Sequence, residues 1–143
     1  MEESLRYLKE QFALPDVDIR TYSPLVLAYI GDGIYELMVR TVLVEQGNRQ
    51  ANTLHKKASS YVKASAQSAM ILAIQEELTE EEEKIYKRGR NAKTVTMAKH
   101  ASMHDYRHAT GFEALMGYLY LTHQMRRMID LIKMGMERTG GLP

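Results

Sequence analysis

Leu27-Ala28-Tyr29-Ile30-Gly31-Asp32-Gly33-Ile34-Tyr35-Glu36 is the stretch on which the fold turns. It follows Ser23-Pro24, a serine cap with proline at the first helical position, and apolar residues keep helical spacing through Leu25, Tyr29, Val39 and Leu43. A helix here sets Asp32 between two glycines on an apolar background, each glycine costing about 1 kcal/mol relative to alanine. Gly47-Asn48 stops it. Far along the chain, Thr110-Gly111-Phe112-Glu113-Ala114-Leu115-Met116-Gly117-Tyr118 repeats the combination. Close approach of two helices accounts for glycines in both runs, and it would bring Asp32 and Glu113 together in a site that mostly excludes water. Two carboxylates placed there cannot both stay ionised unless a cation neutralises them. Oxygen donors favour a hard divalent ion, so Mg2+ is the expected cofactor.

Outward from these two runs, almost every segment reads as helix. A short one is expected from Ser4 to about Ala13, before a loop holding Pro15, Asp16 and Asp18. Asn52 is a candidate cap for a helix reaching about Leu78 through Leu54, Ala58, Tyr61, Val62 and Ala66. Thr79 with Glu82 makes a capping box, and Glu80 to Glu83 then occupy a first turn, where the helix dipole favours negative charge. Residues Ala92 to Ala101 lack periodicity and read as a loop. Ser102 with Asp105 offers a second capping box for the helix bearing Glu113, and an amphipathic helix from about Gln124 to Glu137 ends at Gly140-Gly141. No alternating strand pattern or repeat occurs. The expected architecture is an all-α helical bundle forming one domain over residues 1–143.

Composition narrows the chemistry. The chain is 45% apolar and 26% charged, as in a globular protein, and has no cysteine, which removes disulfides, thiolate metal sites and thiol nucleophiles. No membrane span or apolar leader is evident, so the expected location is the cytoplasm. A net charge of +1 means that any nucleic-acid contact must come from clustered charges. Lysines and arginines do cluster, at Lys56, Lys57 and Lys63 and then from Lys84 to Lys93 with Lys99. The ten methionines, seven of them from Met97 onward, read as core fillers with a few available to an intersubunit seam.

Ala28, Asp32 and Glu36 stand at four-residue steps on one helix face, and Thr110 and Glu113 are neighbours on theirs. The plainer alternative has Asp32 capping or kinking its helix and Glu113 pairing with Arg107 or a lysine. A rival metal site is His100, His104 and His108 at four-residue intervals, with His104-Asp105 similar to the metal pair of helical HD-type phosphohydrolases.

The ordered blocks Leu27 to Asp32, Leu54-His55-Lys56-Lys57, Lys87 to Lys93 and Phe112 to Gly117 resemble the catalytic domains of the ribonuclease III family, over about residues 24–137. Within it they are most similar to the stand-alone Mini-ribonuclease III branch. The resemblance implies a homodimer that cleaves double-stranded RNA with Mg2+, leaving 5′-phosphate and 3′-hydroxyl ends, and a task in maturing the large-subunit ribosomal RNA precursor. It makes Asp32 and Glu113 the metal-holding catalytic acids, with Glu36 a candidate outer-sphere contact. Lys56, Lys57, Arg88, Arg90, Asn91 and Lys93 become candidate RNA contacts, and a ribosomal protein a candidate presenting partner. Most family members carry four acids; here Ala28 and Thr110 stand where two of them would be. That departure predicts weak metal affinity, and it leaves a non-catalytic RNA-binding relative as the alternative.

Overall fold

The computed structural model describes residues 1–93 and 102–143. In these, the chain folds into seven α-helices: α1 (Glu2–Gln11), α2 (Pro24–Glu45), α3 (Ala51–Val62), α4 (Ala64–Ile74), α5 (Glu80–Arg90), α6 (Met103–Leu121) and α7 (Met125–Glu137). Short 3-10 turns at Ile19–Thr21 and Gln75–Glu77 lead into α2 and α5. The described residues contain no strand. The all-α expectation is met.

α6 is the axis of the bundle. From Ala109 to Leu119 nearly every residue is buried, the pattern of a helix enclosed on all sides. It packs most extensively on α2, then on α5 and α4. Glycines set the depth of that packing. A Cβ on Gly31 of α2 would overlap the carbonyl oxygen of Glu113, and one on Gly117 of α6 would overlap that of Leu27. Gly89 of α5, not singled out by the sequence reading, lies against Gly111, where a Cβ would stand 2.9 Å from its Cα. Beside the crossing, Tyr35 meets Phe112 edge-on at 5.0 Å and its hydroxyl donates to the Tyr61 carbonyl oxygen at 2.8 Å. Gly33 is the exception among the four glycines of the two runs. A Cβ there meets open space, so close helix approach within the chain does not explain it.

The helix signals are realised unevenly. Ser23 caps α2 through the Leu25 N–H, and Thr79 and Glu82 form the reciprocal capping box of α5. Ser102 accepts from the Asp105 N–H at 3.0 Å, which is the forward half of the second expected box. α1 begins at Glu2, two residues earlier than expected, and buries no residue. The helix expected from Asn52 to Leu78 is broken at Lys63, whose extended backbone (φ −65°, ψ 153°) ends α3 and starts α4. Gln50, without a side-chain cap, precedes α3 in place of Asn52. Glu82, only 3% exposed, closes the α5 cap and also receives Arg127 of α7 at 2.8 and 2.9 Å. The expected loop from Ala92 to Ala101 lies mostly outside the described residues.

Candidate active site

The α2–α6 crossing carries the two acids of the sequence analysis. Because Gly31 lies against the Glu113 backbone, the next residue of α2, Asp32, comes beside the Glu113 side chain. Burial, reinforced by the hydrogen bond and negative charge of Asp32, pushes the Glu113 carboxyl up from 4.5 to about 8. Glu113 is half-buried, whereas Asp32 is exposed. The site is therefore open on its Asp32 side, which corrects the expectation that both acids are held away from water. Its floor is polar as well. Gln67 of α4, which the sequence reading passed over, lies against Glu113 and favours its ionised form.

Among the described residues no third acid or histidine completes a cluster able to hold a metal ion. The donor set is two carboxylates, hard oxygen ligands crowded enough that one keeps its proton until positive charge arrives. That fits a Mg2+ ion, which typically takes one or two carboxylates and fills its remaining positions with water and substrate phosphate oxygens. The acids absent at Ala28 and Thr110 are replaced by ordinary structural groups. Ala28 is buried, and the Thr110 hydroxyl donates to the Tyr106 carbonyl oxygen at 2.9 Å. Glu36, one turn beyond Asp32, is paired with Arg40 at 3.3 Å.

The candidate RNA contacts separate into groups. Arg90, Asn91 and Lys93 line a cavity of about 420 Å3 together with Arg107 and Thr110, and Thr110 is one turn from Glu113. Arg107, named earlier only as a pairing partner for Glu113, instead belongs to this basic cavity. Arg88 is elsewhere. Its guanidinium donates to the carbonyl oxygens of Arg20 and Tyr22, both at 3.0 Å, and braces the turn before α2. Lys56 is exposed and Lys57 half-buried on α3, which packs on α2. In the rival histidine set, the rings of His104 and His108 meet at 4.3 Å, tilted by 56°, and the His108 Nδ1 bonds the Tyr86 hydroxyl. Burial lowers the His108 pKa, and His100 lies outside the described residues.

Residues 25–124 match the model of the Ribonuclease III domain. The chain belongs to the ribonuclease III family. Proteins named Mini-ribonuclease 3 are similar over most of their length. The one from Clostridium tetani is 48% identical over 129 residues, covering 90% of this chain and 84% of that one. The one from Enterococcus faecalis is 50% identical over 125 residues, covering 86% and 95%. A crystal structure of a Fusobacterium nucleatum protein superposes with a TM-score of 0.74 at 35% identity, covering 82% of this chain and 93% of that one. Family membership sets the HD-type reading aside. The match spans both carboxylate helices and the basic segment between them.

Proposed function

We propose that Asp32 and Glu113 hold Mg2+ and that the protein, an endoribonuclease of the ribonuclease III family, uses them to hydrolyse double-stranded RNA. The observation that carries this reading is the pairing of an exposed and a half-buried carboxyl at a helix crossing too tight to relax. When bound, Mg2+ supplies charge to the scissile phosphate and lowers the pKa of the attacking water. The protein's own residues do the rest. Asp32 faces solvent, so an ion held there would be open to a backbone phosphate. Glu113 holds a proton near neutrality and gives it up as the site acquires positive charge. Glu36 can reach an outer-sphere position only by leaving Arg40, an exposed pair worth about 0.3–0.5 kcal/mol.

The basic cavity beside Thr110 supplies phosphate contacts through Arg90, Lys93 and Arg107, with Asn91 at its edge. An A-form duplex exposes little of its base edges, so backbone charge and shape dominate recognition and binding falls steeply with salt. Lys56 and Lys57 extend the charged surface; Arg88 serves the fold.

A second copy is the natural cover for one face of α2. Val26, Tyr29, Gly33 and Leu37 recur at helical spacing on that face, and Tyr29 is 82% exposed. An isologous dimer through this stripe sets Asp32 at the edge of the seam, so that two sites face one duplex. The cellular task we assign is maturation of the large-subunit ribosomal RNA precursor in the cytoplasm. The described residues contain no helix long and apolar enough to cross a membrane.

The test is a labelled RNA duplex incubated with the protein in Mg2+ or in chelator. Cleavage only with metal, abolished in Asp32→Asn while duplex binding persists, is the expected result. Binding without cleavage in Mg2+ would instead identify a non-catalytic relative. Cleavage by Asp32→Asn at the wild-type rate would remove the site assignment.

A further inference from the structure

Four polar or charged side chains are buried among the described residues: Gln67, Ser68, Glu82 and Thr110. Three are accounted for. Glu82 is taken by Arg127 and the α5 cap, and Thr110 by the Tyr106 carbonyl. Ser68 lies against Asp105 at the start of α6 and favours its ionised form. Gln67 is different. Its side chain is 2% exposed on a helix otherwise packed through Met70, Ile71 and Ile74. Its Nε2 donates to the Val62 carbonyl oxygen at 2.8 Å, across the break between α3 and α4. Its Oε1 is buried with no hydrogen-bond partner. The same amide lies against Glu113. The Val62 bond accounts for one Nε2 proton, and it leaves the other Nε2 proton and the buried, unbonded Oε1 beside Glu113 without a structural task.

We infer that Gln67 is a positioning residue for Glu113, its buried amide holding the carboxyl from behind in the orientation that a shared ion requires. This rests on the metal-site reading above. The geometry leaves few other candidates. The α6 backbone at Glu113 is pinned by Gly31, which leaves the side-chain torsions as the freedom to be fixed. Asp32 reaches the acid from the solvent side, and the Thr110 hydroxyl is turned back into its own helix. An amide anchored on the Val62 carbonyl keeps its second Nε2 proton for Glu113. With only two acids in the site, a misdirected Glu113 would forfeit half of the protein's hold on the ion.

The experiment uses the full chain and Gln67→Met, with Mn2+ as the metal probe, followed by paramagnetic resonance. Loss of an outer-shell partner typically weakens metal binding by about tenfold or more. Gln67→Met should therefore weaken Mn2+ binding by about that factor and raise the Mg2+ concentration for half-maximal cleavage in parallel, with KM for duplex RNA unchanged. In a Glu113→Gln background the same substitution should make no further difference to Mn2+ binding. In the wild-type protein, the side-chain 15N–1H signals of Gln67 should shift as Mg2+ is added, a readout that requires no variant. Unmoved signals would overturn the inference. So would a Gln67→Met protein that melts lower yet binds Mn2+ and responds to Mg2+ like wild type, because Gln67 would then only close the Val62 carbonyl. If wild-type protein binds no Mn2+, or Asp32→Asn binds it equally well, the metal-site reading itself fails and this inference with it.

Discussion

Glu113→Gln isolates the energy stored at the helix crossing. The variant keeps the shape of the protonated acid and cannot ionise. In the wild-type protein the carboxyl moves from 4.5 to about 8 on folding, through burial first and Asp32 second. An acid whose folded pKa lies above its unfolded value stabilises the fold fully below the unfolded value and loses that contribution as pH rises through the folded one. At about 1.36 kcal/mol per pKa unit, the wild-type protein should lose roughly 2–3 kcal/mol between pH 6 and pH 9 that the variant retains. Solvent access on the Asp32 side screens part of this, leaving about 1–2 kcal/mol. For a domain of this size that corresponds to a divergence in Tm of about 5 °C. The assay is thermal unfolding by circular dichroism, in chelator, at pH 6, 7.5 and 9, on both proteins. His108 and every other titrating group common to both cancel in the difference. Added Mg2+ at pH 7.5 should then raise the Tm of wild type and leave the variant unmoved. Parallel Tm profiles across this pH range would refute the account of a strained acid pair.

Gly31→Ala should cost about 3 kcal/mol or more, or prevent folding, because its methyl overlaps the Glu113 carbonyl; equilibrium denaturation measures this. Gly33→Ala, two residues on, meets open space within the single chain and should stabilise the monomer by up to about 1 kcal/mol in the same measurement, any cost appearing instead in self-association through the α2 face. Arg127→Ala strands buried Glu82 and should cost about 3–5 kcal/mol, with the Glu82→Gln, Arg127→Met pair recovering much of the loss. Arg90→Ala should lower duplex affinity and reduce the slope of log affinity against log salt by about 1 in filter binding. Arg88→Ala should lower Tm and leave that slope unchanged.

Much of the architecture could be read from local signals because those signals are local in cause. Ser23-Pro24 and Thr79 with Glu82 mark helix starts through bonds within one turn, and both form as expected. The carboxylate pair was legible for another reason. Glycines beside acids inside apolar helices have few uses other than bringing backbones together, and Gly31 and Gly117 do that. What stayed hidden depends on partners distant in sequence. The break at Lys63 leaves helical spacing on both sides undisturbed, so periodicity runs through it. Arg88 and Arg90 look alike in a basic segment, yet point apart, one to the turn before α2 and the other to the cavity. Gln67 carried only a weak signal, a single amide in the apolar run Ala64–Ile74. Nothing in that run says which side meets α6.

The two halves of the proposed catalytic pair are made at different times. Asp32 leaves the ribosome early, but the helix that completes the site lies more than half the chain further on, and it is the one around which α2, α4 and α5 assemble. On that assignment a nascent or partly unfolded chain carries single acids with no partner and lacks the complete ion site. Correct assembly of the core is itself the safety catch on the nuclease.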